Sequence, residues 1–171
     1  PHFVRRGPRS QNFIIDQVLD RLTGEAVGNI LTVGRSDEPL FLYLALTAPH
    51  KPTQPSAKFR GKTGLGEYGD FVAQVDSSVG RVLEALEEAG IADDTLLIYS
   101  SDNGSYMFQL QDQEAVDHVK DSSQQAYLAR HHRPNGILRG TKADIWEAGH
   151  RVPLIVKWPG RVKAGSRSAV P

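Results

Sequence analysis

Cysteine is missing from the 171-residue sequence, which excludes disulfide bonds and thiolate metal sites and leaves the redox compartment undetermined. No apolar run approaches the roughly 20 residues that a membrane-spanning helix needs. An excess of either charge is also missing, because 20 Lys and Arg residues balance 20 Asp and Glu residues. A net charge of zero gives no indication of the basic surface that binds nucleic acid or an acidic membrane. With 39% hydrophobic and 23% charged residues, the composition indicates one ordinary globular domain or a large piece of one.

The two ends of the sequence carry little pattern. Residues 1–6 lack the apolar segment of a secretory signal, and the first residue is not Met, so we expect a fragment or a processed piece. Residues 1–12 are basic and rich in glycine and proline, which favours a loop. The tail from Arg161 is polar, and the chain shows no internal repeat or domain linker before it.

Hydrophobic spacing predicts two helices. Over 68–89 the apolar residues recur at intervals of three and four, and Gly90 follows at the position where helices often end. A second helix is predicted over 24–33, with Thr23 as its N-cap and Gly34 at its end.

Three short apolar runs, at 41–47, 95–100 and 154–158, predict strands. The run at 41–47 is continuous rather than alternating, as is typical of central strands covered on both faces by helices. Because the longer predicted helix lies between the first two runs, they should form a βαβ unit, with parallel strands and the helix packed on one face. This pattern favours an α/β fold.

Polar residues follow both of the predicted parallel strands. Asp102 and Asn103 come directly after the second strand, before Gly104, and offer the hard oxygen ligands that suit Ca²⁺ or Mg²⁺. His50 lies on a stiff turn between two prolines after the first strand. Because the carboxyl ends of parallel strands share one edge of a sheet, these side chains can face one cleft. A turn that merely ends a strand, and a histidine that is merely a surface residue, are the open alternatives.

The later part of the chain contains two irregular segments. Residues 105–135 are polar with no sustained period, which indicates a functional lid or a disordered loop. The His131-His132-Arg133 run inside this segment favours a basic loop over a metal or anion site. Residues 136–153 combine glycines, cations and a tryptophan in a loop that is too polar for a core.

Four stretches of the chain, taken in order, carry a family pattern. They are 41–52, ending in Ala-Pro-His-x-Pro; the predicted helix at 68–90; 95–104, ending in Ser-Asp-Asn-Gly; and 138–160, containing Leu-Arg-Gly-x-Lys-x-x-x-x-Glu-x-Gly-x-Arg-Val-Pro. Together they resemble the type I sulfatases of the alkaline-phosphatase-like superfamily. The resemblance implies a three-layer α/β sandwich with a largely parallel central sheet. It also implies that residues 1–171 are a segment of a single catalytic domain, without its N-terminal part and its smaller C-terminal subdomain.

The resemblance implies roles for four residues. Asp102 and Asn103 match the pair that ligates Ca²⁺ in the family. His50 matches the histidine that contacts the sulfate or the leaving-group oxygen, and Lys142 matches the lysine that binds a sulfate oxygen. The implied function is hydrolysis of a sulfuric ester, with His50 and Lys142 as catalytic and substrate-binding residues. Positive charge around the sulfate suits this reaction, because negative charge develops on the leaving oxygen.

The sequence departs from the family in its nucleophile and in part of its metal site. The family's nucleophile is a formylglycine, made from Cys or Ser in a Cys/Ser-x-Pro-x-Arg motif that this chain lacks. An Asp pair that completes the family's metal site is also absent, and Thr141 replaces a frequent glycine. We expect the missing groups in the missing N-terminal part, so the segment alone should be inactive. A phosphodiesterase or phosphonate-ester hydrolase of the same superfamily, and a non-catalytic fragment, are the alternatives.

The expected partner is a sulfate ester, either a small molecule or a carbohydrate, with no nucleic acid and no membrane segment. The choice of ester belongs to variable loops, among which 105–135 is a candidate. The family resemblance suggests a periplasmic or secreted protein.

Overall fold

The computed structural model describes residues 7–8, 10–109, 126–127 and 133–169, with the backbone alone for 108, 109, 126 and 127. Two short 3₁₀ helices, Ile15–Gln17 and Ala92–Asp94, precede the first long helix and the first strand. The helices and strands are, in chain order, α1 (Val18–Val33), α2 (Gly66–Glu88), β1 (Leu97–Ser100), β2 (Phe108–Gln109), β3 (Ala126–Tyr127), α3 (Glu147–His150) and β4 (Leu154–Lys157). This mixture agrees with the predicted α/β class.

The packing of α1 against α2 forms the core. The buried face of α1 recurs every three or four residues: Leu19, Thr23, Ala26 and Ile30. Helix α2 covers that face with two clusters of apolar residues, one near each end of α2. The first contains Phe71 and Val75, and the second contains Ala85 and Leu86. Burying a large aliphatic or aromatic side chain stabilises by roughly 1.5–3 kcal/mol, so these contacts hold the two helices together. The predicted helix ends are confirmed, because Gly34 caps α1 and Gly90, with a φ of 72°, follows the cap of α2.

Thr23 lies inside α1 rather than at its start, so its prediction as an N-cap is wrong. The helix begins at Val18, because Leu19 continues the apolar face by one more turn and is only 2% exposed. The buried Thr23 hydroxyl finds partners within the helix pair. Thr23 Oγ1 lies 2.8 Å from the Leu19 carbonyl oxygen and 2.9 Å from Ser78 Oγ on α2. A threonine with these partners is compatible with a helix interior.

Strand β1 pairs with β4 in antiparallel orientation, with Leu97 opposite Lys157 and Ser100 opposite Leu154. Leu97 packs against the core cluster beside α2, whereas Ile98 on the other face is 60% exposed. The strands predicted at 95–100 and 154–158 are therefore confirmed, each slightly shorter. The backbones of β2 and β3 form a two-residue parallel pair.

The run at 41–47 forms no strand, so the predicted parallel pairing with 95–100 is wrong. Within the described ranges, β1 has β4 as its sheet partner and 41–47 has none. Its apolar residues divide between packing and exposure. Leu46 packs against the helix core, whereas Phe41 and Tyr43 are 93% and 82% exposed. A continuous apolar run indicates burial but does not specify the neighbouring strand, and a strand requires that ladder.

Several sequence predictions concern residues outside the described ranges. They cover part of the 1–12 loop, much of the irregular segment 105–135, and both histidines of the 131–133 run. Of the helices that the structure describes, none is both long enough and apolar enough to cross a bilayer.

A buried carboxylate fixes the loop that leads into α2. Asp70, which is 3% exposed, accepts hydrogen bonds from the N–H of Gly61 at 2.6 Å and from the N–H of Thr63 at 2.9 Å. The Thr63 hydroxyl also donates to Asp70, at 2.7 Å. Burial by itself would raise the pKa of Asp70, but these bonds and one from the Lys62 N–H together outweigh it and hold the pKa below its ordinary value.

We expect Asp70→Asn to lower the free energy of unfolding by about 1–3 kcal/mol near neutral pH, because it removes a charged acceptor of buried hydrogen bonds. The pKa of Asp70 is lowered in the folded state, so its stabilisation is present above the ordinary Asp value of about 3.9. That stabilisation is lost as the pH falls from there through the lowered pKa. Urea unfolding at about pH 7 and about pH 3 measures both effects, and the difference in stability between the two proteins should be smaller at the lower pH.

The matched control is Asp76→Asn, at an exposed position on the same helix. Equal losses of stability in the two variants would contradict the role of Asp70.

Candidate active site

His50 and Lys142, 92 positions apart in the chain, are in contact. Lys142 Nζ lies 3.1 Å from His50 Nε2, and His50 Nδ1 lies 2.8 Å from the Lys51 carbonyl oxygen. A carbonyl oxygen only accepts and an ammonium only donates, so these partners place the proton on Nδ1 and the lone pair on Nε2. Protonation of His50 would break the contact with Lys142, because both ring nitrogens would then be donors.

A tyrosine packs beside this pair. The ring centroid of Tyr106 lies 5.7 Å from that of His50, and Lys51 Nζ lies 5.5 Å from the Tyr106 centroid. The Tyr106 hydroxyl lies 2.7 Å from Thr53 Oγ1. Burial raises the pKa of Tyr106 to about 12, so its hydroxyl stays protonated at neutral pH. The sequence prediction missed Tyr106, because a single tyrosine in a polar, aperiodic segment carries no pattern.

The loop of Lys142 is held by the main chain of Ser105. The Lys142 N–H donates to the Ser105 carbonyl oxygen at 3.0 Å. The side-chain amide of Asn135 binds both backbone polar groups of Ser105. Asn135 Oδ1 accepts the Ser105 N–H and Asn135 Nδ2 donates to the Ser105 carbonyl oxygen, each at 3.0 Å. Asn135 Nδ2 also lies 3.3 Å from the Gly140 carbonyl oxygen. Asn135 was not predicted as a site residue, and the Asn-Gly turn signal was its only hint.

Two further contacts close the loop on both sides of Lys142. The Thr141 N–H donates to Asp144 Oδ2 at 2.8 Å, and the Arg139 guanidinium lies 3.6 Å from the centre of the Trp146 ring. Thr141 is outside the left-handed region of backbone conformation, so glycine is not needed there. The departure from the family pattern at this position is therefore compatible with the loop.

The loop that follows β1 packs backbone to backbone against α3. The Gly104 N–H donates to the Gly149 carbonyl oxygen at 3.0 Å, and a Cβ on Gly104 would collide with the Ala148 carbonyl oxygen. Asp102 is exposed and Asn103 half-buried. These two side chains therefore sit on a loop whose position is set by α3.

Asp102 and Asn103 fit part of a calcium site. They supply carboxylate and amide oxygens, which Ca²⁺ prefers. Asn103 is two residues from Ser105, so the Cα atoms of these two residues lie within about 7.6 Å of each other. Ser105 is the residue whose carbonyl oxygen accepts the Lys142 N–H. Among the described residues, no group of three or more Asp, Glu, His or Cys side chains could hold a metal ion. Two side chains fall short of the six to eight oxygens that Ca²⁺ takes, so further ligands are required.

The motifs that supply these residues match one family over nearly the whole chain. The sulfatase family model covers residues 5–170. The chain belongs to the sulfatase family. This confirms the family that the four sequence stretches indicate.

The curated sulfatases that resemble this chain are much longer. N-acetylgalactosamine-6-O-sulfatase of Bacteroides thetaiotaomicron is 34% identical over 164 residues, which cover 96% of this chain and 30% of that protein. Human steryl-sulfatase is 36% identical over 152 residues, which cover 89% of this chain and 23% of that protein. This sulfatase chain thus spans less than a third of the length of these two relatives.

Solved structures support the fold class. A Bacteroides thetaiotaomicron structure from work on the metabolism of multiple glycosaminoglycans superposes with a TM-score of 0.73 at 34% identity, covering 88% of this chain and 29% of that one. The crystal structure of Ps i-CgsB in complex with k-i-k-neocarrahexaose gives a TM-score of 0.64 at 30% identity, covering 86% and 29%. The predicted alkaline-phosphatase-like α/β class is confirmed, although the predicted pairing of 41–47 is not.

We expect Gly104→Ala to lower the free energy of unfolding by about 1–3 kcal/mol, because the added Cβ would meet a backbone carbonyl that cannot rotate away. Gly80→Ala is the matched control, since a Cβ there has nothing within 4 Å and alanine favours a helix by up to about 1 kcal/mol. Urea unfolding of the two variants provides the comparison. If Gly104→Ala were as stable as the parent chain, the close packing of the loop on α3 would be disproved.

Proposed function

We propose that this chain provides part of the active site of a sulfuric ester hydrolase, in which His50 and Lys142 bind and act on the sulfate ester. The 3.1 Å contact between His50 Nε2 and Lys142 Nζ carries the proposal. Two distant sulfatase motifs meet at that contact. The residue types are an ammonium and an imidazole, which suit an anion that carries a leaving oxygen.

The bond between Lys142 and His50 represents the site before an anion arrives. A sulfate oxygen is a stronger acceptor for an ammonium than a neutral ring nitrogen, because both partners are then charged. An incoming sulfate ester would take the Lys142 donor and release His50 Nε2. A protonated imidazole then has an Nε2–H that can donate to the leaving oxygen as a general acid.

Asp102 and Asn103 are the residues that would hold Ca²⁺, which would supply positive charge beside the sulfate when bound. With only these two side-chain ligands, the segment alone should bind Ca²⁺ weakly. The 171 residues contain no Cys/Ser-x-Pro-x-Arg motif, so the reaction needs a nucleophile from another part of the enzyme. The chain by itself should therefore bind an anion without turning over an ester.

The substrate class in this proposal is a sulfated carbohydrate. Its support is the name of the N-acetylgalactosamine-6-O-sulfatase and the neocarrahexaose bound in the Ps i-CgsB structure. A steryl sulfate, as named for the human relative, is the competing class. Hydrolysis of the two kinds of ester by a complete enzyme that contains this segment separates these classes.

We expect the chain to bind inorganic sulfate, with chemical-shift changes at His50 and Lys142 in an NMR titration. Lys142→Ala should weaken the affinity about tenfold or more, because a hydrogen bond to a charged group contributes about 1.5–3 kcal/mol. Lys157→Ala on β4 is the control for net charge and should bind as the parent does. Equal weakening in both variants would indicate a diffuse charge effect and would contradict a site at Lys142.

In an enzyme that joins this segment to a formylglycine nucleophile, His50→Ala and Lys142→Ala should each slow aryl sulfate hydrolysis by about a hundredfold or more. Each substitution removes a group that interacts with charge developing in the transition state. Steady-state kinetics measures the effect, again with Lys157→Ala as the control. Parental rates in both variants would refute the site assignment and leave the family membership intact.

A further inference from the structure

The side chain of Tyr106 contacts the turn that carries His50 at two points. Its ring lies 5.7 Å from the His50 ring, at an interplanar angle of 52°. Its hydroxyl lies 2.7 Å from Thr53 Oγ1, and Thr53 is 2% exposed. The ring and the hydroxyl therefore contact residues on both sides of Pro52, within one short stretch of chain.

Tyr106 is itself held in place by a contact with α2. Tyr68 of α2 meets the Tyr106 ring edge to face, with centroids 5.8 Å apart, in a geometry that favours aromatic pairs. The Tyr68 hydroxyl lies 2.8 Å from Ser105 Oγ, so α2 contacts two consecutive residues of the loop. The neutral phenol of Tyr106 persists across the physiological range, because burial raises its pKa to about 12.

The residue before Tyr106 holds the other half of the candidate site. The Ser105 carbonyl oxygen accepts the Lys142 N–H at 3.0 Å. Two adjacent residues thus hold two groups that lie far apart in sequence. Ser105 holds the Lys142 backbone, and Tyr106 holds the turn of His50.

We propose that Tyr106 is a positioning residue, whose ring and hydroxyl hold the His50 imidazole with Nε2 directed at Lys142 Nζ. The consequence for anion binding rests on the proposed function, whereas the consequence for the imidazole does not. Without the hydrogen bond between the Thr53 and Tyr106 hydroxyls, the turn that carries His50 is no longer held at a fixed distance from the Ser105-Tyr106 backbone. The ring of His50 can then rotate, and its proton exchanges between the two nitrogens.

The test is nitrogen NMR of the His50 ring at about pH 9, where an imidazole is uncharged. His50→Ala identifies the signal. In the parent chain the proton should lie on Nδ1. Tyr106→Phe and Thr53→Val remove opposite ends of one hydrogen bond, and each should produce a mixture of both ring tautomers. Each should also weaken inorganic sulfate affinity about threefold to tenfold.

Three further variants make the result specific. Thr53→Ser keeps a hydroxyl and should retain the parental tautomer. Tyr99→Phe removes the hydroxyl of a half-buried tyrosine on β1 and should change neither readout. The double variant Tyr106→Phe/Thr53→Val should resemble either single variant, because both changes remove the same bond.

Circular dichroism melting checks that each variant is folded. Because two variants break the bond from opposite ends, loss of folding in one leaves the other to decide. A parental tautomer in the folded variants would overturn the role of Tyr106. If the parent chain binds no sulfate, the proposed function fails, and the tautomer measurement still decides the positioning role.

Discussion

The amide of Asn135 makes the contact on which the candidate site depends. One end accepts the Ser105 N–H, and the other donates to the carbonyl oxygens of Ser105 and Gly140. This single planar group joins the loop after β1 to the loop that carries Lys142. Because an amide does not titrate, the link is independent of pH. The link between the two loops is therefore uncharged, although the Asp144 carboxylate and the Arg139 guanidinium also hold the Lys142 loop.

Lys142 forms no salt bridge with any residue that the structure describes. Arg60, by contrast, pairs with Asp16 at 3.1 Å, and Lys157 pairs with Glu87 at 3.4 Å. The partner of Lys142 Nζ is a neutral imidazole nitrogen, which accepts a hydrogen bond without cancelling the positive charge. An ammonium in this environment retains its attraction for an anion. The contact thus orients the lysine side chain while preserving the property that a sulfate site needs.

The family motifs predict that His50 and Lys142 face the same anion, which stays a prediction, and helical periodicity predicted α2. The sequence predicted the wrong partner for β1, the run at 41–47, because periodicity shows which residues are buried but not which element covers them. The wrong prediction of Thr23 as an N-cap has a similar cause. Threonine is a common N-cap residue, but the apolar face of α1 extends to Leu19 and places Thr23 inside the helix. Asn135 and Ser105 are 30 positions apart, in a segment without periodicity, so only the folded chain shows that they meet.

The close approach at Gly104 has a thermodynamic consequence. The loop with Asp102 and Asn103 rests on α3, and α3 belongs to the same motif as the Lys142 loop. Under the proposed roles, a dication at one loop and an anion at the other would bind to parts of one framework. If binding of the first ligand increases affinity for the second, the second must increase affinity for the first by the same factor. Under those roles, the backbone contact at Gly104 would be the physical connection through which the occupancy of one site affects the other.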